Sequence, residues 1–187
     1  MPGVGEEKCE LIRPLPVVLI VTAGVLATSA CARPGPAGEE DIERNRAIVT
    51  AFVEAINARD FDSLHSLVSP DIVRHSQATP DVNVTDLESF KAFLRSDFEV
   101  VPDALQQVRM MVAEDGLVAV WATYTGTQRG TLGPFPPLGN RAEADFAAFL
   151  RLEHGRIEEI WVIWDNLTIL TQLGHWPPAP APVMPRR

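Results

Sequence analysis

Leu105-Gln-Gln-Val-Arg-Met-Met-Val-Ala-Glu-Asp-Gly-Leu-Val-Ala-Val-Trp-Ala-Thr-Tyr-Thr-Gly-Thr-Gln128 decides the fold. Its apolar residues recur with a period of two on either side of Asp115-Gly116, the signature of two long strands joined by a tight hairpin turn. The same pattern returns in Arg141 to Glu153 and Arg156 to Asp165, separated by His154-Gly155. Four strands in this order predict an antiparallel meander.

Upstream the period is helical. Glu39 to Ala58 opens with acidic residues, which suit a helix N-terminus, and places Ile42, Val49, Phe52, Val53 and Ile56 on one stripe. A shorter helix is expected from Phe61 to Val68, stopped by Ser69-Pro70-Asp71, and Ile72 to His75 then reads as extended. Thr85-Asp-Leu-Glu88 has capping-box spacing, so a third helix should run from Asp86 to about Val100 with Leu87, Phe90, Phe93, Leu94 and Phe98 inward. Leu167 to Leu173 would close the domain as a short helix. Three helices followed by a meander give an α+β domain with the helices on one face of a curved, mostly antiparallel sheet.

The ends have other compositions. Leu15 to Ala27 is an uncharged apolar run preceded by Arg13, shorter than the ~20 residues of a membrane span but suited to the core of an export signal. It closes in Ala27-Thr-Ser-Ala-Cys31, which resembles the bacterial lipobox and makes Cys31 the expected lipidation site. Residues 1–31 are thus expected to be a lipoprotein signal and 32–40 a Pro/Gly-rich linker that forms neither helix nor sheet. Residues 41–174 would be the folded domain and 175–187 a Pro-rich tail. The expected location is extracytoplasmic, anchored to the bacterial cell membrane by lipid on Cys31.

A net charge of -9 argues against a nucleic-acid partner. Both cysteines, Cys9 and Cys31, precede the domain, which leaves it without a disulfide or a cysteine metal ligand. The four histidines lack ligand spacing, so no metal or other cofactor is expected.

Four stretches together resemble the SnoaL-like polyketide and ester cyclases of the nuclear transport factor 2-like superfamily. They are Phe52-Val-Glu-Ala-Ile-Asn-Ala-Arg-Asp60 with Leu67-Val-Ser-Pro-Asp-Ile-Val-Arg-His75; Tyr124 to Gly133 leading into Phe135-Pro-Pro-Leu-Gly139; Phe149-Leu-Arg-Leu-Glu-His-Gly-Arg-Ile157; and Ile160-Trp-Val-Ile-Trp-Asp165 with Leu170-Thr-Gln-Leu-Gly174. The resemblance implies a cone in which helices and a curved sheet enclose a pocket. It also implies cofactor-free ring closure by a carboxylate, with a neighbouring histidine. Those two positions fall on Val162 and Ala148, so the floor expected on this strand face is apolar.

Two functional readings follow. One is a lipid-anchored domain that binds a small lipophilic molecule without the usual acid/base. The other is a cyclase, isomerase or hydratase using His75, at the end of a short strand, or Asp165, at the rim. For Asp165 the alternative is a helix cap, and for His75 a structural role. The expected pocket lining is Phe52, Trp121, Tyr124, Arg129, Phe146, Ala148, Val162 and Trp164. Relatives of this fold also suggest a homodimer through the outer sheet face, where Trp161 and Ile163 fall.

Overall fold

A computed structural model describes residues 37–79 and 82–177. The export signal, Cys31, most of the linker and the tail beyond Pro177 lie outside the described residues.

The elements run α1 (Ala37–Ala58), α2 (Leu64–Leu67), β1 (Val68–Ser76), α3 (Leu87–Val100), β2 (Leu105–Glu114), β3 (Leu117–Thr127), β4 (Arg141–Glu153), β5 (Arg156–Trp164) and α4 (Asn166–Leu173). The five strands form one curved sheet in the order β1-β5-β4-β3-β2, antiparallel throughout except that β1 joins β5 in parallel. The helices pack on this sheet, in the α+β cone expected from the order of elements.

Both hairpins turn as the sequence predicts. Asp115 and Gly116 have φ of 44° and 82°, and His154 and Gly155 have 52° and 76°. Two successive left-handed residues make the type I′ turn whose twist matches that of paired strands.

Several boundaries differ from expectation. Ala37 and Gly38, assigned to an irregular linker, already belong to α1, because the proline that bars helix formation lies before them at Pro36. The second helix shrinks to one turn. Pro70 forbids a helical residue at Ser69, and the chain turns extended from Val68. The extended piece after it is a full strand: β1 holds the sheet edge, where Pro70 leaves no ladder bond unmade, and precedes the third helix.

The cap of α3 is displaced by one residue from the Thr85/Glu88 pair. Asp86 accepts from Ser89 N at 2.7 Å, and Ser89 Oγ accepts from Asp86 N at 3.2 Å. A carboxylate beside the helix N-terminus is the better cap.

Alternation then sorts the sheet into two faces. Val118, Val120, Ala122 and Tyr124 of β3, Ala144, Phe146, Ala148 and Leu150 of β4, and Ile160 and Val162 of β5 are buried toward the helices. Against them pack Phe52 and Phe90, stacked at 6.0 Å, with Phe93 continuing the row at 6.5 Å from Phe90. Removing this apolar surface from water drives folding.

Candidate functional site at the mouth of the cone

Ala148 and Val162 lie directly opposite each other across β4 and β5, both buried on the inner face. Neither carries a group that can move a proton. Around them the lining is aromatic: Trp164 stacks on Phe146 at 4.4 Å and meets the edge of Tyr124 at 5.4 Å. These inner-face residues are largely buried, and two clefts open elsewhere among the described residues. One, of ≈ 240 Å³, sits between the start of α1 and the two hairpin turns, and the other, of ≈ 360 Å³, is on the outer sheet face.

A charged cluster interrupts this apolar interior. On α3, Phe90, Leu94, Asp97 and Val101 succeed one another at helical spacing, so Asp97 projects from the stripe that faces the sheet. The Arg74 guanidinium of β1 acts on the Asp97 carboxylate through its charge, and the Tyr124 hydroxyl of β3 also favours its ionised form. Crowding by protein pushes the Asp97 carboxyl up to about 6, against the opposing pull of Arg74 and of the Tyr124 hydroxyl. Burial, with the Asp97 charge behind it, raises the Tyr124 phenol and keeps it protonated.

Arg74 packs on Phe93, which lies one helical turn before Asp97 on α3. Its guanidinium carbon sits 4.3 Å from the centre of the Phe93 ring, and Nη1 donates to Thr79 Oγ1 at 3.1 Å. Burial brings Arg74 down to about 10, which leaves it a cation at neutral pH. Arg74, Asp97, Phe93 and Trp164 each keep part of their surface open, unlike the sealed residues beneath them.

The end of α3 that carries Asp97 is held from two sides. Arg129 N and Gly130 N donate to Val100 O at 2.8 and 3.0 Å, tying the glycine loop to the helix end. Behind that loop the fully buried Gln128 donates to Gly130 O and Phe135 O, both at 3.1 Å, and accepts from His175 Nε2 at 2.9 Å. Arg59 donates to Pro102 O and Ala104 O from the other side, at 2.6 and 3.2 Å.

Over residues 46–173 the chain matches the family model described as SnoaL-like polyketide cyclase. The chain belongs to the SnoaL-like polyketide cyclase family. Solved structures agree. AclR of Streptomyces galilaeus, a provisional hydroxylase, is 26% identical with a TM-score of 0.63, covering 73% of this chain and 99% of its own. IdmH of Streptomyces antibioticus, a provisional polyketide cyclase, is 29% identical with a TM-score of 0.61, covering 70% and 98%. A SnoaL-like polyketide cyclase from Agrobacterium tumefaciens, 22% identical with a TM-score of 0.60 and covering 70% and 98%, shares the fold. No curated protein matches the chain.

In this SnoaL-like domain the residues expected at the site divide. Phe52, Tyr124, Phe146, Ala148 and Val162 are buried on the inner side, with Trp164 half-buried beside them. Trp121, placed in the pocket by the sequence reading, is instead 49% exposed on the outer face, because it alternates out of phase with Ala122 and Tyr124. Arg129 is also exposed, since its backbone is spent on the loop tie to Val100.

His75, read as a catalytic candidate, stands on the outer face. It pairs in register with Trp161, stacks on that ring at 5.4 Å, and donates from Nε2 to Glu159 Oε1 at 2.7 Å. Arg74, one residue earlier, points inward in its place.

Asp165 caps α4, accepting from Thr168 N at 3.0 Å and Thr168 Oγ1 at 2.7 Å, and these bonds hold its carboxyl below the usual range. With Trp121 it lines the outer cleft. An exposed carboxylate held ionised is a poor general base.

The sequence reading missed Asp97 and Arg74. The signal for Asp97 was present: a carboxylate seven residues after Phe90, inside an otherwise apolar stripe. Among the described residues, no group of three or more His, Cys, Asp or Glu side chains converges as a metal site.

Proposed function

We propose that the protein is an exported SnoaL-like enzyme, tethered by lipid on Cys31, that performs cofactor-free proton transfer on a small lipophilic molecule with Asp97 as acid/base. The observation that carries this reading is the part-buried Asp97 on the sheet-facing stripe of α3, where burial pushes its carboxyl up to about 6 against the pull of Arg74 and Tyr124. A general base near neutrality combines an ionised population with useful basicity, so Asp97 does at the helix what Val162 cannot do on the strand.

The chemistry balances without a co-reactant. Asp97 takes a proton from a carbon flanked by carbonyls, breaking C–H and forming carboxyl O–H, while the electron pair moves to a carbonyl oxygen as an enolate. The enolate carbon forms a C–C bond to a second carbonyl of the same molecule. The alkoxide so produced recovers the proton from Asp97. Tyr124 and Arg74 supply a donor and a positive charge for the oxygen that gains charge.

A second reading is favoured by the apolar Ala148/Val162 pair: ligand binding without chemistry. The two separate by proton NMR in D₂O with 2-tetralone, whose benzylic α-protons are acidic, as probe. Protein-catalysed exchange that Asp97→Asn abolishes while the probe still binds supports proton transfer. Exchange no faster than buffer, or unchanged in the variant, supports binding alone.

Nucleic acid is not among the proposed partners, given the charge of -9. Lipid anchoring has its own test, in which cells are labelled with a palmitate analogue. Label on the wild type and none on Cys31→Ala is expected, and an unlabelled wild type would remove the anchor. A homodimer through the face bearing Trp161 and Ile163, the latter 66% exposed, completes the proposal, with sedimentation as its check.

A further inference from the structure

Arg74 has more donors than the fold uses. A guanidinium carries five N–H groups, and the hydrogen bond it forms among the described residues is the one to Thr79. Two other arginines, Arg59 and Arg151, are better supplied, whereas Arg109 and Arg141 likewise form one side-chain hydrogen bond each. Arg59 donates to the carbonyls of Asn57, Pro102 and Ala104, and Arg151 donates to both Glu159 and Glu153. The acid that acts on Arg74, Asp97, is felt through its charge, and the two do not join in the ion pairs formed among the described residues. A guanidinium held over the Phe93 ring, on a residue that keeps part of its surface exposed, can receive an anion from outside.

We infer that the molecule taken up by this domain carries a carboxylate, which Arg74 binds through the N–H groups that its described neighbours leave unused, while the apolar body rests on the part-exposed rings of Phe93 and Trp164. Planar bidentate pairing with a carboxylate is what guanidinium does better than any other side chain. The two rings serve the apolar part, and Asp97, one turn along α3 from Phe93, is left for the neighbouring carbon. The inference rests on the proposed reading only for that last placement, because capture of the anion requires no reaction.

The probes are 2-naphthoate and its methyl ester, titrated calorimetrically at pH 7.5 into the purified protein and into its Arg74→Met, Arg74→Lys and Asp97→Asn variants. The wild type should bind the acid at least about tenfold more tightly than the ester. Arg74→Met should erase that preference and Arg74→Lys should keep part of it, since a point charge without the fork remains. Asp97→Asn should retain or sharpen the preference by removing a like-charged neighbour, even though it ends proton exchange. Anion capture and proton transfer thus fail separately.

Equal binding of acid and ester by the wild type, no binding of either at millimolar concentration, or an acid preference that survives Arg74→Met would each overturn the inference. Should Arg74→Met not fold, the wild-type ratio and its reduction in Arg74→Lys decide it.

Discussion

Asp97 on α3 and Tyr124 on β3 act on each other's protonation across the interface between helix and sheet: the hydroxyl lowers the carboxyl, and the carboxylate raises the phenol. Two otherwise apolar surfaces therefore hold a polar pair between them. It is costly unless satisfied, and useful if a substrate must exchange a proton there.

The first consequence concerns stability. The Asp97 carboxyl stands near 6 in the folded protein against 3.8 ordinarily, so between those values the native state holds a proton that the unfolded chain has lost. Stability conferred by the raised group is complete below about pH 4 and falls as pH rises through 6, by about 3 kcal/mol in all. Asp97→Asn, neutral at every pH, should melt higher than the wild type at pH 7.5 and close to it at pH 4.5. A lower melting temperature for Asp97→Asn at pH 7.5 would refute the raised carboxyl.

Tyr124→Phe removes a hydroxyl that favours the ionised form of Asp97. The carboxyl should rise further, and the acidic limb of the pH profile for probe exchange should move to higher pH. A limb that stays in place would mean that the hydroxyl does not tune the base.

Gly126 tests the support beneath the site. A β-carbon there would stand 2.2 Å from Val101 Cγ1 and 3.3 Å from Ala104 Cα, where α3 ends. Gly126→Ala should cost about 1 to 3 kcal/mol by overpacking, and should slow exchange by displacing the helix that carries Asp97. Denaturant unfolding checks the first effect and the NMR assay the second.

His75 and Asp165 should be dispensable for chemistry. His75→Ala loses its contacts with Glu159 and Trp161 on the outer face and should leave exchange unchanged. Asp165→Ala should lower the melting temperature through loss of the α4 cap while exchange persists. Loss of exchange in either variant would return that residue to the mechanism.

The sequence carried the fold further than the site, for a physical reason. Alternation in β2 to β5 and the left-handed turns at Asp115-Gly116 and His154-Gly155 are local properties that any register preserves. β1 was legible only as an extended piece, because its partner, β5, lies some eighty residues away and no local pattern announces a parallel edge pairing.

Site membership depends on phase. Trp121 and Tyr124 lie three residues apart on one strand, so they face opposite ways, and reading them as one pocket overlooked the period of two. His75 and Arg74 are neighbours, and only the register with β5 decides which of them turns inward. The resemblance places the base on a strand, at Val162, whereas Asp97 sits on a helix.

The most direct measurement is carbon-13 NMR titration of the aspartate side-chain carboxyls in the purified protein, with Asp97 assigned by its absence in Asp97→Asn. A midpoint near 6 that moves upward in Tyr124→Phe is expected of an acid/base held at the mouth of the cone. A midpoint near 4, the same in both proteins, would contradict it and leave the domain without a proton-transfer group.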